Sequence, residues 1–219
     1  LNYLHKENTF NEFDREPLIP HMLSTEGPAL AVGDANNDGL EDIFIGASKT
    51  FHNAVFLQQP NGKFLRKVQP EMLLDSMYED VDAVWADVNN DNNIDLIVAS
   101  GGNEFYGPDE HNSPRVYLNN GDNVFSKKKN AFDSLYLTAS CVTATDFNSD
   151  GFIDLFIGGR VVPFEYGKIP KSYLLQNDGT GRFKDVTSKY APELATAGFI
   201  TSAVWFDIDK DNDKDLLLS

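Results

Sequence analysis

Four times this chain writes the same short acidic phrase, each time between two apolar runs. The copies open at Asp34, Asp87, Asp146 and Asp207, so they stand 53, 59 and 61 residues apart. Oxygen-bearing side chains fall at positions 1, 3, 5 and 9 of every copy. They are Asp34, Asn36, Asp38 and Asp42; Asp87, Asn89, Asp91 and Asp95; Asp146, Asn148, Asp150 and Asp154; and Asp207, Asp209, Asp211 and Asp215. Position 6 is Gly39, Asn92, Gly151 or Asn212, the residue types that most readily accept a left-handed backbone. That spacing is what a loop wrapped around a hard cation requires, and Ca²⁺, which takes six to eight oxygens, is its natural occupant. The position-7 carbonyls of Leu40, Asn93, Phe152 and Asp213 complete the expected ligand sets, for up to four ions.

A repeat of this period also restricts architecture, because each unit must bury its apolar face against the next. Each period holds four strand candidates. The first leads into the acidic loop, over residues 29–32, 81–86, 141–145 and 200–206. The second leaves it, over 42–47, 95–100, 154–158 and 215–219. A third, over 54–58, 115–119 and 172–176, ends at an Asn-Gly or Asp-Gly hairpin signal. The fourth carries Phe64, Phe125 or Phe183. Helical periodicity is nowhere sustained, and residues 70–75 and 191–195 are expected to form short turns at most. Asn2 to Leu4 with Thr9 and Phe10 read as third and fourth strands, and 200–219 as first and second strands. The expected fold is therefore an all-β propeller of four-stranded antiparallel blades, three whole and two half, in a single domain or section over 1–219. Ring closure could come from its own two halves, from further repeats, or from a second chain.

Charge narrows the partners. The chain carries 18 basic and 34 acidic side chains, a formal charge of −16, which four Ca²⁺ ions would bring to −8. So acidic a balance argues against nucleic acid, whose phosphates need clustered Lys and Arg. The one basic run, Lys127 to Lys129, reads as the solvated edge of a sheet. Cys141 is alone, so no intrachain disulfide forms, and its place in an apolar strand fits packing better than catalysis. No apolar run is long enough for a membrane-spanning helix, and no signal peptide is visible from Leu1 onward.

An EF-hand fails on position 12, where its bidentate Glu is replaced by Ile45, Val98, Ile157 and Leu218. Its flanking helices are missing too. Gly33 to Gly39 followed by Asp42 to Gly46 instead resembles the FG-GAP repeats of integrin α-subunit propellers, and still more the bacterial VCBS repeats. Within that group, Ser24 to Pro28, Gly101 to Glu104 and Gly158 to Pro163 are similar to the cartilage acidic protein and UnbV-like family. The resemblance implies a calcium-stapled, integrin-like propeller that is secreted, at the cell surface or periplasmic, and used in adhesion or recognition. Such propellers have about seven blades, more than this chain supplies. Asn92 and Asn212 depart from the usual Gly, and the C-terminal cysteine-rich or UnbV-type module of some relatives is missing.

In a propeller the 1–2 and 3–4 loops share one face, and the 2–3 and 4–1 loops share the other. The resemblance places a protein or glycan partner on the second face, opposite the acidic loops. Two long insertions, 101–114 and 158–171, lie there. They offer Glu104, Tyr106, His111, Arg160, Tyr166 and Lys168 as candidate ligand-binding residues, with Phe105, Asp109 and Phe164 beside them. Catalysis has little support, since no nucleophile motif, His-rich metal spacing or phosphate-cradling loop is present. The alternative is a fragment of a calcium-dependent polysaccharide lyase or hydrolase, for which Tyr106, His111, Arg160 and Lys168 would be the nominees.

Overall fold

The computed structural model describes residues 3–219. Fourteen strands form three four-stranded antiparallel sheets and one two-stranded sheet, each meandering in chain order. The first blade is β1 (Leu30–Gly33), β2 (Asp42–Ile45), β3 (Ala54–Gln58) and β4 (Phe64–Lys67). The second is β5 (Asp80–Ala86), β6 (Asp95–Ser100), β7 (Arg115–Asn119) and β8 (Phe125–Lys127). The third is β9 (Thr138–Thr145), β10 (Asp154–Val161), β11 (Tyr173–Asn177) and β12 (Phe183–Asp185). A final pair, β13 (Ala203–Phe206) and β14 (Asp215–Leu218), follows. The first strands β1, β5, β9 and β13 lie side by side along the inside, as propeller blades require. The expected short turns are the helix Pro70–Leu73, which starts on Pro, and the 3₁₀ segment Pro192–Thr196.

Blade stacking explains why the second strands read as unbroken apolar runs. Along β6, Leu96 and Val98 pack toward the first blade with Phe44 and Val55, while Ile97 and Ala99 pack toward the third with Leu155 and Ile157. Every residue of β6 is consequently buried. On β10 the outward-turned Phe156 joins Cys141, Leu174 and Trp205 in the core between the third and fourth units. Cys141 is thus a core thiol, and burial, foremost, raises its pKa. Each core shared by two blades is what makes one blade's stability depend on its neighbour.

The expected N-terminal half blade is not found. Asn2 lies outside the described residues, and residues 3–10 belong to no strand. Tyr3 instead packs edge-on against Phe56 of the first blade, with ring centroids 5.9 Å apart, and Leu4 is exposed. The pairing of strand-like N-terminal residues with β13 and β14 therefore does not occur among the described residues. Physically, Glu12 decides the path of this segment. It is fully buried and accepts hydrogen bonds from the Ser24 N–H (2.9 Å) and hydroxyl (3.1 Å), closing residues 12–24 into a compact loop. The loop straps the face opposite the acidic turns. Asn103 Nδ2 donates to Glu16 (2.7 Å), Arg160 forks onto Glu26 (2.7 and 3.0 Å), and the Tyr166 N–H donates to Glu16 (3.2 Å).

Glu79 anchors the strap at its other end. It is 5% exposed, and its Oε2 accepts from Asn8 Nδ2 (3.1 Å) and the Lys49 N–H (3.0 Å). Burial, opposed by those bonds and reinforced by the charges of Glu7 and Asp80, pushes its pKa up to about 8. The folded chain then holds a proton that the unfolded chain has lost. This stabilisation is present below the unfolded value near 4.3 and disappears as pH rises through about 8. Glu79→Gln is expected to flatten that decline. Urea midpoints at pH 5.5, 7 and 8.5 in fixed calcium check it, and parallel wild-type and variant slopes would refute it.

Candidate functional site

All four acidic turns connect the first strand of a unit to its second, so they lie together on one face. Their backbone follows from two left-handed positions, not one. Position 4 is left-handed in every copy, at Asn37 (φ 58), Asn90 (φ 57), Ser149 (φ 59) and Lys210 (φ 66). Position 6 is left-handed at Gly39, Asn92, Gly151 and Asn212. The turn so formed aims amide hydrogens at its own carboxylates. In the first copy the Asp38 N–H donates to Asp34 Oδ1 and Asn36 Oδ1, both 3.0 Å, and the Gly39 N–H to Asp34 Oδ2 at 2.8 Å. The Leu40 N–H donates to Asp38 Oδ1 at 2.9 Å. The same pattern recurs around Asp87, Asn89 and Asp91, and around Asp146, Asn148 and Asp150. The last copy keeps it through Asn212 to Asp207, Asp211 to Asp209 and Asp213 to Asp211.

Position 9 plays a different part. Asp42, Asp95 and Asp154 are buried where the second strand begins. Each reaches the end of the third strand, accepting from the Gln58, Asn119 or Asn177 N–H at 2.8 Å. Burial, opposed by these bonds but aided by the neighbouring loop carboxylates, pushes Asp95 and Asp154 up to about 6 and raises Asp42 as well. Asp207 Oδ1, on the fourth turn, is buried with no hydrogen-bond partner. In the last copy one oxygen each from Asp207, Asp209 and Asp215 lie within 4.8 Å of one another, the one such cluster of acidic, His or Cys groups among the described residues. Converging carboxylates, an orphaned buried oxygen and an all-oxygen donor set fit a hard divalent cation of the Ca²⁺ type.

Sequence reasoning overlooked the inter-blade staples. Asn119 Nδ2 crosses to the Ala35 carbonyl of the preceding blade's loop (2.7 Å), and Asn177 Nδ2 crosses to the Val88 carbonyl (2.9 Å). Their shared place at the third-strand end, just before Asn-Gly or Asp-Gly, was the available signal. Removing the amide strands two buried carbonyls, so Asn177→Ala is expected to cost about 1–3 kcal/mol, measured as a lowered urea midpoint.

Two matches to the family model for the FG-GAP-like repeat cover residues 34–98 and 87–157, together more than half of the chain. The chain belongs to the FG-GAP-like repeat family. The first match begins on Asp34 and the second on Asp87, the opening residues of two acidic turns. No curated protein matches this FG-GAP-like chain. Among solved structures it is similar to an Agrocybe aegerita lectin described as recognising non-reducing terminal N-acetylglucosamine, at 22% identity and a TM-score of 0.48. The likeness covers 73% of this chain and 37% of the lectin chain, so the FG-GAP-like chain spans little more than a third of that protein's length.

The six candidate residues on the opposite face do not converge on one point. Glu104 pairs with Lys49. His111 stacks on Phe105 at 4.4 Å, with its Nδ1 2.6 Å from Asp109. Arg160 is committed to Glu26, and Tyr166 stacks near Phe199 at 6.0 Å. Tyr106, 61% exposed, and Lys168, paired with Glu165 at 2.9 Å, line a cleft of about 370 Å³ between the two insertions. Tyr136, Thr138, Lys171 and Tyr173 share this cleft and carried no motif in the sequence. Gly159 is needed here because a Cβ would run into the Lys171 carbonyl, where the second insertion returns to the sheet. Among the described residues no helix is long and apolar enough to cross a membrane.

Proposed function

We propose that this FG-GAP-like propeller is a calcium-binding, non-catalytic recognition module working outside the cell, at its surface or in the periplasm. Its acidic turns hold up to four Ca²⁺ ions as staples. A protein or glycan partner meets the other face, in adhesion or recognition. The observation that carries the reading is the fourfold repetition of one donor set at positions 1, 3, 5, 7 and 9 on a left-handed turn. Extracellular calcium sites work at roughly 10⁻⁴–10⁻³ M, which suits an outside location. The phrases at Ser24, Gly101 and Gly158 support a place near the cartilage acidic protein and UnbV-like members.

What supports a non-catalytic role is the separation of the enzymatic nominees. His111, Arg160 and Lys168 are each engaged with a different partner, Asp109, Glu26 and Glu165. Titration calorimetry of the chelator-stripped chain with CaCl₂ is expected to resolve up to four sites. An array of extracellular proteins and oligosaccharides, probed in calcium, is expected to yield a binder, while acidic polysaccharides incubated with the chain stay intact. Depolymerisation that is lost in His111→Ala or Tyr106→Phe would replace this reading with the lyase one.

A further inference from the structure

Tyr136 lines both the cleft between the insertions and a second, neighbouring one of about 220 Å³. The larger cleft is walled by tyrosine and proline: Tyr106, Tyr136 and Tyr173 with Pro108, Pro163 and Pro170. Such side chains present wide apolar area and lose little conformational freedom on binding. Tyr106 and Tyr136 are 61% and 38% exposed without a ligand.

The polar groups of the larger cleft are mostly spent. Asn112 Nδ2 already donates to the Phe105 (3.1 Å) and Gly107 (3.4 Å) carbonyls, and Glu165 is held by Lys168. What is left is hydroxyl and ammonium. Thr138 lines the cleft at 1% exposure, and its hydroxyl has no hydrogen-bond partner. Lys171 makes no ion pair among the described residues. These hydroxyls can accept as well as donate, but a neutral sugar leaves the lysine ammoniums without a counter-charge. A polyproline II segment flanked by carboxylates uses both kinds of group. It has no proline N–H to satisfy, its carbonyls all point outward, and it docks on aromatic-lined grooves.

Charge selects further. In the smaller cleft Lys127 is paired with Asp75, but Lys128 and Lys129 have no carboxylate partner among the described residues, and Glu110 is the single acidic residue on its wall. With Lys171 at the other end, this makes a cationic stretch on a chain of net charge −16. At physiological salt the remote acidic turns are screened within about 8 Å, so the nearby lysines set the local preference. We infer that these two adjacent clefts bind an acidic, proline-rich peptide in the polyproline II conformation. This deepens the recognition reading above and rests on it.

The test uses fluorescence anisotropy in calcium at about 0.15 M salt. The probe is a labelled synthetic peptide of about six prolines flanked by glutamates, extended at roughly 3.1 Å per residue. Binding should weaken about tenfold or more when glycine replaces the prolines, and again in Tyr136→Ala. Lys128→Glu combined with Lys129→Glu should weaken it similarly, and Thr138→Val less, with melting temperatures unchanged. Equal binding of the glycine peptide would reduce the site to nonspecific charge and overturn the inference. So would a neutral oligosaccharide that binds in a Tyr136-dependent way while the peptide does not. Binding of neither probe also overturns it, whereas the broader recognition reading fails only if the protein and glycan array is blank.

Discussion

Chelation of calcium by EGTA is expected to lower the melting temperature of this chain by roughly 5–10 °C for each site that had been occupied at about a hundredfold its dissociation constant. Binding at that excess stabilises the folded state by about 2.7 kcal/mol per site, and a domain of this size shifts by roughly 2–4 °C per kcal/mol. The sign is set by the turns. Each turn carries three or four carboxylates, which in the last copy bring three oxygens within 4.8 Å of one another, and amide hydrogens aimed at them offset their repulsion only in part. The first three turns also touch one another in sequence. Asn37 Nδ2 donates to Asn93 Oδ1 at 3.2 Å, and Asn90 Nδ2 to the Gly151 carbonyl at 3.3 Å, so losing one ion loosens its neighbour.

Asp91→Ala separates the metal from the fold. Asp91 is exposed, and its side-chain oxygens meet only groups of its own loop, the Asn93 and Asn89 amides. The variant should therefore melt lower than wild type in calcium, yet close to it in chelator. Asp95→Ala should fall in both, because Asp95 also holds the backbone of Val88 and Asn119. A melting curve that chelator leaves in place would end the calcium proposal, whatever the turns look like.

The repeat made most of this architecture readable. A strand has to begin at Asp42, Asp95, Asp154 and Asp215, because position 9 is where the turn ends and pairing starts, and each observed second strand begins there. The third strands followed from their Asn-Gly or Asp-Gly ends. The left-handed state of position 4 stayed hidden because Asn, Ser and Lys all occupy it, so no residue type flagged it. The N-terminal segment was misread for the opposite reason. Tyr3 and Phe10 look like strand residues, yet a buried Glu12 and a run of side-chain contacts across the face hold the chain as a strap, and no short-range pattern encodes those contacts. The same holds for the cleft. Tyr136, just before β9, and Thr138, at its start, meet Lys171 where the second insertion returns to the sheet, a long-range event with no local spacing.

Beyond the metal, the largest single-residue effect should come from Arg115. Its side chain is 1% exposed and donates from Nη2 to Asp80 Oδ1 at 2.5 Å, over the face of Tyr78 at 4.0 Å. Asp80 Oδ2 in turn accepts from the Ala47 N–H (3.1 Å) and Asn53 Nδ2 (3.2 Å), which belong to the first blade. On the outer side Tyr117 Oη lies 3.3 Å from Arg115 Nη1 and donates to Asp75 at 2.5 Å, and Lys127 closes the chain on Asp75 at 2.9 Å. One guanidinium thus ties the innermost strand of the second blade to its outermost. Arg115→Ala leaves Asp80 buried without its counter-charge, which costs about 3–5 kcal/mol, against typically less than 1 kcal/mol for an exposed ion pair. The expected fall in melting temperature is roughly 6–20 °C. Arg115→Lys keeps the charge but loses the planar fork and its stacking on Tyr78, and should fall in between. Pairing Arg115→Met with Asp80→Asn removes both charges while keeping an amide oxygen for the Ala47 and Asn53 donors, so the double variant should recover a large part of the loss. Urea midpoints of wild type, Arg115→Met, Asp80→Asn and the double variant in constant calcium measure the coupling. If the single and double variants simply add, the pair is no more than neighbourly, and the tie across the second blade must lie in its apolar core.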